Sequence, residues 1–493
     1  MNRKIICLVA AVFLSAKAFS SFDFNERVQK AYLQVIRLKF DEGKRLLDEE
    51  QQQNPSNLLP LLYYNYIDFL RAFITEEKKD FETFSDNSEK RLKKIEDEQS
   101  FFSLYATSEI MMQDAMLRVK QREFISAAWE IRKAYKVVEK NMKLYPSFLL
   151  NKKSIGFLHV LVGSVPKNYR NLVKLVGMEG TIVQGKEELF GFLDVIEKTS
   201  YQVYKEETLF YLSTLHGSFA GEKNNIAKLV EAMKPFAPKN PLMRYSLSNI
   251  LMKEGSNDEA LKTLTDTTSL SGTLPFYFLS YKTGLAKLQK LDFTAQLDFV
   301  MYTSYFHGSN YIRSAYQRLA WINLLKGDKK KYSELIALCK TRGSDFVDED
   351  KDATNEAASG EIPNLILLRT RLLFDGGYYA KALSEIAGKS PDSFPRFKDH
   401  LELTYRFARI LDRMKQGEKA IEFFNETIKN GESSTYYFAA NAALLLGNMY
   451  EEKGDFASAK KNYERCLAMR NHEYQNSIDQ KAQAGLERLK MKN

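Results

Sequence analysis

Apolar residues recur at intervals of three and four along most of this chain, the spacing that gives a helix one buried face. In the C-terminal half the pattern also repeats on a longer scale. Leu247-Ser248, Leu251, Gly255, Ala260 and Leu264 set out one unit, an apolar helix followed by a glycine turn and a second helix. Leu319-Ala320, Gly327-Asp328, Tyr332 and Ile336 repeat it, as do Arg369-Thr370, Leu373, Gly377, Ala382 and Ile386. Phe407-Ala408, Leu411, Ala420 and Phe424 form another, with Gly417 in its turn, and Gly284, Asp292-Phe293 and Val300 form a weaker one. The clearest unit runs Ala443, Leu446-Gly447, Tyr450, Gly454-Asp455-Phe456, Ala459, Tyr463 and Cys466. Small residues at Ser248, Gly284, Ala320, Thr370, Ala408 and Gly447 mark where paired helices cross, at intervals of 36, 36, 50, 38 and 39.

The N-terminal half shows the same periodicity with weaker units. Ala31, Phe40-Asp41, Gly43, Leu47 and Pro55 fit a first hairpin. Leu58 to Ile74 with Glu76 to Glu98, and Phe101 to Lys120 with Glu123 to Tyr145, predict two longer ones. Two segments break the pattern. Residues 154–191 hold six of the 24 glycines and are expected to be an irregular insertion, either an inter-repeat connection or a docking loop. Residues 342–361 are acidic and lack an apolar period, so they are expected to be a surface loop that accounts for the long interval of 50. The division expected is therefore degenerate helical repeats over 19–153, the insertion over 154–191, a helical connection over 192–235 and a regular array over 236–493.

The unit from Ala443 to Cys466 resembles the tetratricopeptide repeat residue for residue, and the interval is near that family's period of ~34 residues. The resemblance implies an all-α fold, a right-handed superhelix of stacked antiparallel helical hairpins. It also implies a concave groove, lined by the first helix of each hairpin, that grips peptides or helices. By the same resemblance the groove positions lie three before and one after each crossing residue. They are Tyr245 and Asn249, Gln317 and Trp321, Leu367 and Arg371, Tyr405 and Arg409, and Leu444 and Asn448. Aromatic, Asn and Arg side chains suit recognition of backbone and carboxylate groups, for which these residues are expected to be exposed, and plain solvation or inter-repeat packing is the alternative for each of them.

Composition adds few constraints. The chain has 493 residues, 44% hydrophobic and 27% charged, with only 11 prolines, which favours helix throughout. Its N-terminus changes the picture more. Arg3 and Lys4, an apolar run from Ile5 to Leu14, and Ala16-Lys17-Ala18 read as a signal peptide over residues 1–18, and hence as export to the periplasm or the medium. Loss of Arg3, Lys4 and Lys17 lowers the formal charge from +9 to +6. The remaining charges are interspersed, so no nucleic-acid-binding stripe is expected.

Candidate chemistry is sparse. Asp348, Asp350 and Asp352 have the opening spacing of a calcium loop, but Ala353 stands where its glycine should be and Ser359 where its last carboxylate should be. The five histidines are scattered. His216-Gly217 and His307-Gly308 read as helix ends. No nucleophile elbow, phosphate loop or dinucleotide fingerprint occurs, so no cofactor and no enzymatic activity are expected. Cys339 and Cys466 fall seven residues after Tyr332 and Ala459, one inward register position in two repeats, and are expected to be buried free thiols. The reading is of an exported scaffold that binds a protein or peptide partner, with envelope assembly or secretion as the expected setting. A ligand-binding or storage protein, or an enzyme with a non-standard site, stays open beside it.

Overall fold

The structure, a computed structural model, describes residues 21–165, 177–215, 223–266 and 270–492. The proposed signal peptide, the middle of the glycine-rich segment and His216 lie outside them. The described residues form 24 α-helices and no strand. Antiparallel hairpins open the chain: α1 (Glu26–Ile36) with α2 (Phe40–Gln53), α3 (Leu59–Thr75) with α4 (Lys78–Glu96), and α5 (Phe101–Lys120) with α6 (Phe124–Leu144). Then α7 (Leu150–Gly163) pairs with α8 (Ile182–Ile196), followed by α9 (Lys205–Thr214) and α10 (Lys223–Met233). The regular array comprises α11 (Pro241–Lys253) with α12 (Asn257–Thr265), α13 (Phe278–Gln289) with α14 (Ala295–Tyr305), and α15 (Ile312–Leu325) with α16 (Lys329–Leu338). A single helix, α17 (Asp348–Ser359), is interposed. Then come α18 (Leu365–Asp375) with α19 (Tyr379–Ile386), α20 (Phe397–Arg413) with α21 (Gly417–Gly431), α22 (Phe438–Glu452) with α23 (Phe456–Ala468), and the closing α24 (Gln475–Lys492). No described helix is long and apolar enough to cross a membrane.

The crossing register read from the sequence is the packing register. Ser248, Ala320, Thr370 and Ala408 are fully buried on the first helices of their hairpins. Gly447 is needed for close approach, because a Cβ there would lie 2.6 Å from the Tyr463 ring. Gly454 ends the α22 turn at φ 78°, as expected, but in the preceding hairpin the left-handed residue is Lys415 (φ 63°) and Gly417 begins α21. The core is a row of apolar clusters handed from hairpin to hairpin, the arrangement of a solenoid.

Two expected irregular segments are helical. The glycine-rich segment 154–191 is helix up to Gly163 and again from Ile182. Its glycines serve a helix crossing: a Cβ on Gly185 would sit 2.4 Å from the Gly156 carbonyl oxygen, so α7 and α8 approach backbone to backbone. The acidic segment 342–361 holds α17, whose Ala353 and Ala357 pack with Cys339. Its apolar stripe is only two alanines wide, so the period is nearly invisible in sequence.

The array curls back onto the N-terminal hairpins. The Leu274 backbone N–H donates to the Leu38 carbonyl at 2.8 Å. Glu76, at the end of α3, accepts from the backbone N–H groups of Ser309 and Asn310 at 3.1 and 3.2 Å and from the Asn310 side chain at 2.8 Å. The Phe124 and Phe346 rings stack with centroids 6.1 Å apart. These contacts join residues more than two hundred positions apart and enclose a lumen between the two arms of the chain.

Candidate functional site

Two features carry chemistry: the groove of the C-terminal array and the lumen. The groove is already occupied. Helix α17 lies against α15, and its acidic side chains meet the residues expected to face a partner. Asp350, at its N-terminal end, accepts the Ser314 backbone N–H at 2.8 Å and that of Tyr311, satisfying the first turn of α15. Burial raises its carboxyl from the usual range to about 7, although those two N–H groups pull it down. Asp350 is thus committed to a helix end rather than to a cation site, and the three aspartates stand on a helix rather than in a loop. Asp352 accepts from Arg371 at 3.2 Å and from the Tyr474 hydroxyl. Burial would raise Asp352, but Arg371 and Tyr474 outweigh it and hold its pKa low. Glu356 accepts from Gln317 Nε2 at 2.6 Å, Trp321 Nε1 at 2.9 Å and the Tyr332 hydroxyl at 3.0 Å. Even so, burial holds its carboxyl above the ordinary value.

This geometry corrects the expected exposure of the groove residues. Gln317 and Trp321 are buried under α17, with Trp321 1% exposed. Tyr405, Leu367 and Leu444 are buried between hairpins because the array curls tightly enough for neighbouring first helices to touch. Tyr405 accepts from Asn441 of the next hairpin. Asn448 accepts from the Tyr463 hydroxyl at 2.7 Å, an intra-hairpin bond. Asn249 accepts from Lys282 at 3.0 Å, and burial pushes that ammonium down to about 8, against a partial offset from Glu349. Tyr245 turns away from the C-terminal groove and lines the lumen. Arg371 and Arg409 remain half-buried. Arg371 lies over the Trp321 ring at 5.2 Å, and Arg409 over Phe374 at 4.3 Å. Arg396, Lys398 and Arg406 join Arg371 along a cleft of about 140 Å³ beside α17, and the aromatic Tyr437 and Tyr474 flank it.

The lumen holds a cavity of about 280 Å³. One face of α5 forms a wall, with Glu109, Met112, Gln113, Met116 and Lys120 at helical spacing. Aromatic rings from α3, α7, α9 and the returning arm form most of the rest, with aliphatic side chains such as Ile36, Leu70 and Leu242 among them. Its floor is a buried ionic cluster. Lys153 Nζ donates to Glu109 at 2.9 Å and to Glu207 at 2.7 Å. Tyr66 OH lies 2.6 Å from Glu109 and 2.9 Å from Glu207, and Tyr211 and Tyr32 donate to Glu207 at 2.8 and 3.1 Å. Burial would lower the Lys153 ammonium, but the two carboxylates outweigh it and keep its pKa above the ordinary value. The sequence pointed to none of these residues. Glu109 and Lys153 are 44 positions apart and Lys153 and Glu207 54, so no local spacing announces them.

Against known proteins, residues 440–472 match the model of the tetratricopeptide repeat. No curated protein matches the chain. Among solved structures the chain is similar to the crystal structure of the APC/C hetero-tetramer Cut9-Hcn1. The match has 11% identity and a TM-score of 0.27, over 94% of this chain and 99% of that one. It is also similar to Naa15/Naa10 bound to HypK-THB, at 12% identity and a TM-score of 0.20, over 94% of this chain and 79% of that one.

Proposed function

We propose that this chain, a tetratricopeptide-repeat protein and so an interaction scaffold, holds a partner through an acidic helical segment laid into the C-terminal groove, where α17 now lies. One observation carries the reading: the groove is occupied by a helix of the chain itself, bound through Arg371, Trp321, Gln317 and Tyr474 to carboxylates on one helical face. A surface that grips one acidic helix in this way has the chemistry to grip another, because carboxylate recognition by arginine and indole N–H is side-chain chemistry and indifferent to connectivity. In this reading α17 competes with the partner and sets its apparent affinity, since a tethered segment acts at high effective concentration. The signal-like residues 1–18 support a location outside the cytoplasm, in the periplasm or the medium. There the partner would be an envelope or secreted protein.

The test uses a fluorescein-labelled peptide of residues 345–361 and fluorescence polarisation. The intact chain should bind it weakly, its groove being filled. A variant with Asp352→Ala and Glu356→Gln loosens α17 and should bind the peptide saturably. Adding Arg371→Ala to that variant should abolish the gain. Absence of saturable binding to the loosened variant, with its helical circular dichroism intact, would refute the groove as a docking site.

A further inference from the structure

We propose that the lumen cavity is a binding site for a small neutral apolar molecule, roughly two fused rings in size, that carries one hydrogen-bond acceptor. The site is separate from the α17 groove and does not rest on the scaffold reading.

Size, walls and one unpartnered donor point to this. A cavity of 150 Å³ lined by apolar side chains takes up benzene, so about 280 Å³ suits a body of roughly two rings. The walls are mostly aromatic rings, with Met112 and Met116 between them. Methionine adapts to the outline of a flat ligand and makes favourable contacts with aromatic faces. An apolar body seated there would replace water against these side chains and gain contacts with the lining atoms.

Gln113 supplies the polar contact. It lines the cavity, is 4% exposed, its Oε1 accepts from Asn65 at 2.8 Å, and its buried Nε2 has no partner among the described residues. A buried amide N–H without an acceptor is costly, and buried polar groups in proteins are almost always satisfied. A carbonyl or ether oxygen on a ligand would satisfy it.

The charges below select a neutral ligand. Glu109 and Glu207 face one ammonium, Lys153, so the floor carries surplus negative charge and repels a carboxylate. Their oxygens are mostly engaged by Lys153, Ser154 and the tyrosines, which leaves little capacity to receive an ammonium. At the rim, Lys120 is held by Glu76 and the Phe73 carbonyl, and Glu76 by the returning arm, so neither offers a free charge.

Prodan, a naphthalene bearing a propionyl ketone, tests the site in a fluorescence titration of the full mature chain. Its emission should shift to the blue and saturate at one molecule per chain. Met116→Trp fills the cavity from a half-buried position and should abolish the shift while leaving the melting curve in place. Gln113→Leu should weaken the ketone about three- to tenfold, the worth of one neutral hydrogen bond. It should not weaken ethylnaphthalene, measured by competition, and naphthoate should not compete at all. Binding that does not saturate, or that survives Met116→Trp, would overturn the site. Equal weakening of ketone and hydrocarbon by Gln113→Leu would overturn the acceptor assignment.

Discussion

Replacement of Trp321 by alanine separates a groove residue from a core residue. An exposed side chain can be truncated for less than about 0.5 kcal/mol. Trp321 is 1% exposed, has the guanidinium groups of Arg318 and Arg371 at 4.2 and 5.2 Å from its ring, and donates its indole N–H to Glu356. An aromatic side chain of this size buries about 150–250 Å², which at about 25 cal/mol per Å² is roughly 4–6 kcal/mol. Alanine keeps a little of that, and measured Trp→Ala losses in cores run to about 3–5 kcal/mol. Trp321→Phe keeps most of the ring and removes only the donor. Glu356 retains Gln317 and Tyr332, so the loss should be smaller, about 1–3 kcal/mol. Urea unfolding of the three proteins gives these differences. The chain has two tryptophans, and Trp129 is 43% exposed, so quenching separates them. Acrylamide should quench Trp129 and spare Trp321, and the shielded emission should vanish in Trp321→Ala. A stability change below about 0.5 kcal/mol, with Trp321 quenched as readily as Trp129, would refute the burial of the groove under α17.

Four other outcomes are expected. N-terminal sequencing of the exported protein should begin at or near Phe19, and an intact Met1 in a cytosolic fraction would count against export. Cys339 and Cys466 are buried and unpaired, and burial pushes both thiols up to about 12. Iodoacetamide should therefore label neither in the folded chain and both after unfolding without reductant, and a Cys339–Cys466 crosslinked peptide would contradict this. Asp350 titrates at about 7 when folded, above its ordinary value of about 3.9, so between those values the folded chain binds more protons than the unfolded one. Its contribution to stability is complete below the lower value and is lost as pH rises through the upper one. Hydrogen exchange in α17 should accordingly speed up from about pH 4 to about pH 7 beyond the intrinsic change and level off above, and Asp350→Asn should flatten that slope. Lys153→Met leaves Glu109 and Glu207 buried without their cation and should cost about 3–5 kcal/mol in urea unfolding. Adding Glu109→Gln and Glu207→Gln should recover most of the loss, and failure to do so would make Lys153 a packing residue.

The sequence by itself determined most of the helices, the crossing residues and the hairpin series of the C-terminal array. Each is a local matter: a small residue where two helices meet, a periodic apolar stripe, a turn residue able to take a positive φ. Ser248, Ala320, Thr370, Ala408 and Gly447 are therefore legible one unit at a time, and so are the inward register positions of Cys339 and Cys466. Tertiary structure decided what those elements face. Position in a repeat places Trp321 on the concave side, but only the fold shows that the acidic stretch behind it is a helix and that its Glu356 covers the indole. The glycines of 154–191 read in sequence as an irregular connection or a docking loop, whereas the fold uses Gly156 and Gly185 for a close helix crossing. Glycine serves both, since it lacks a Cβ, and the choice depended on α8 lying against α7. The lumen is the extreme case. Its floor joins Glu109, Lys153 and Glu207, and its closure joins Glu76 to Ser309 and Asn310. Each partner is an ordinary residue of its own helix or turn. Their meeting follows from the accumulated curvature of the hairpin stack, a sum of small rotations at every interface that no single stretch of sequence records.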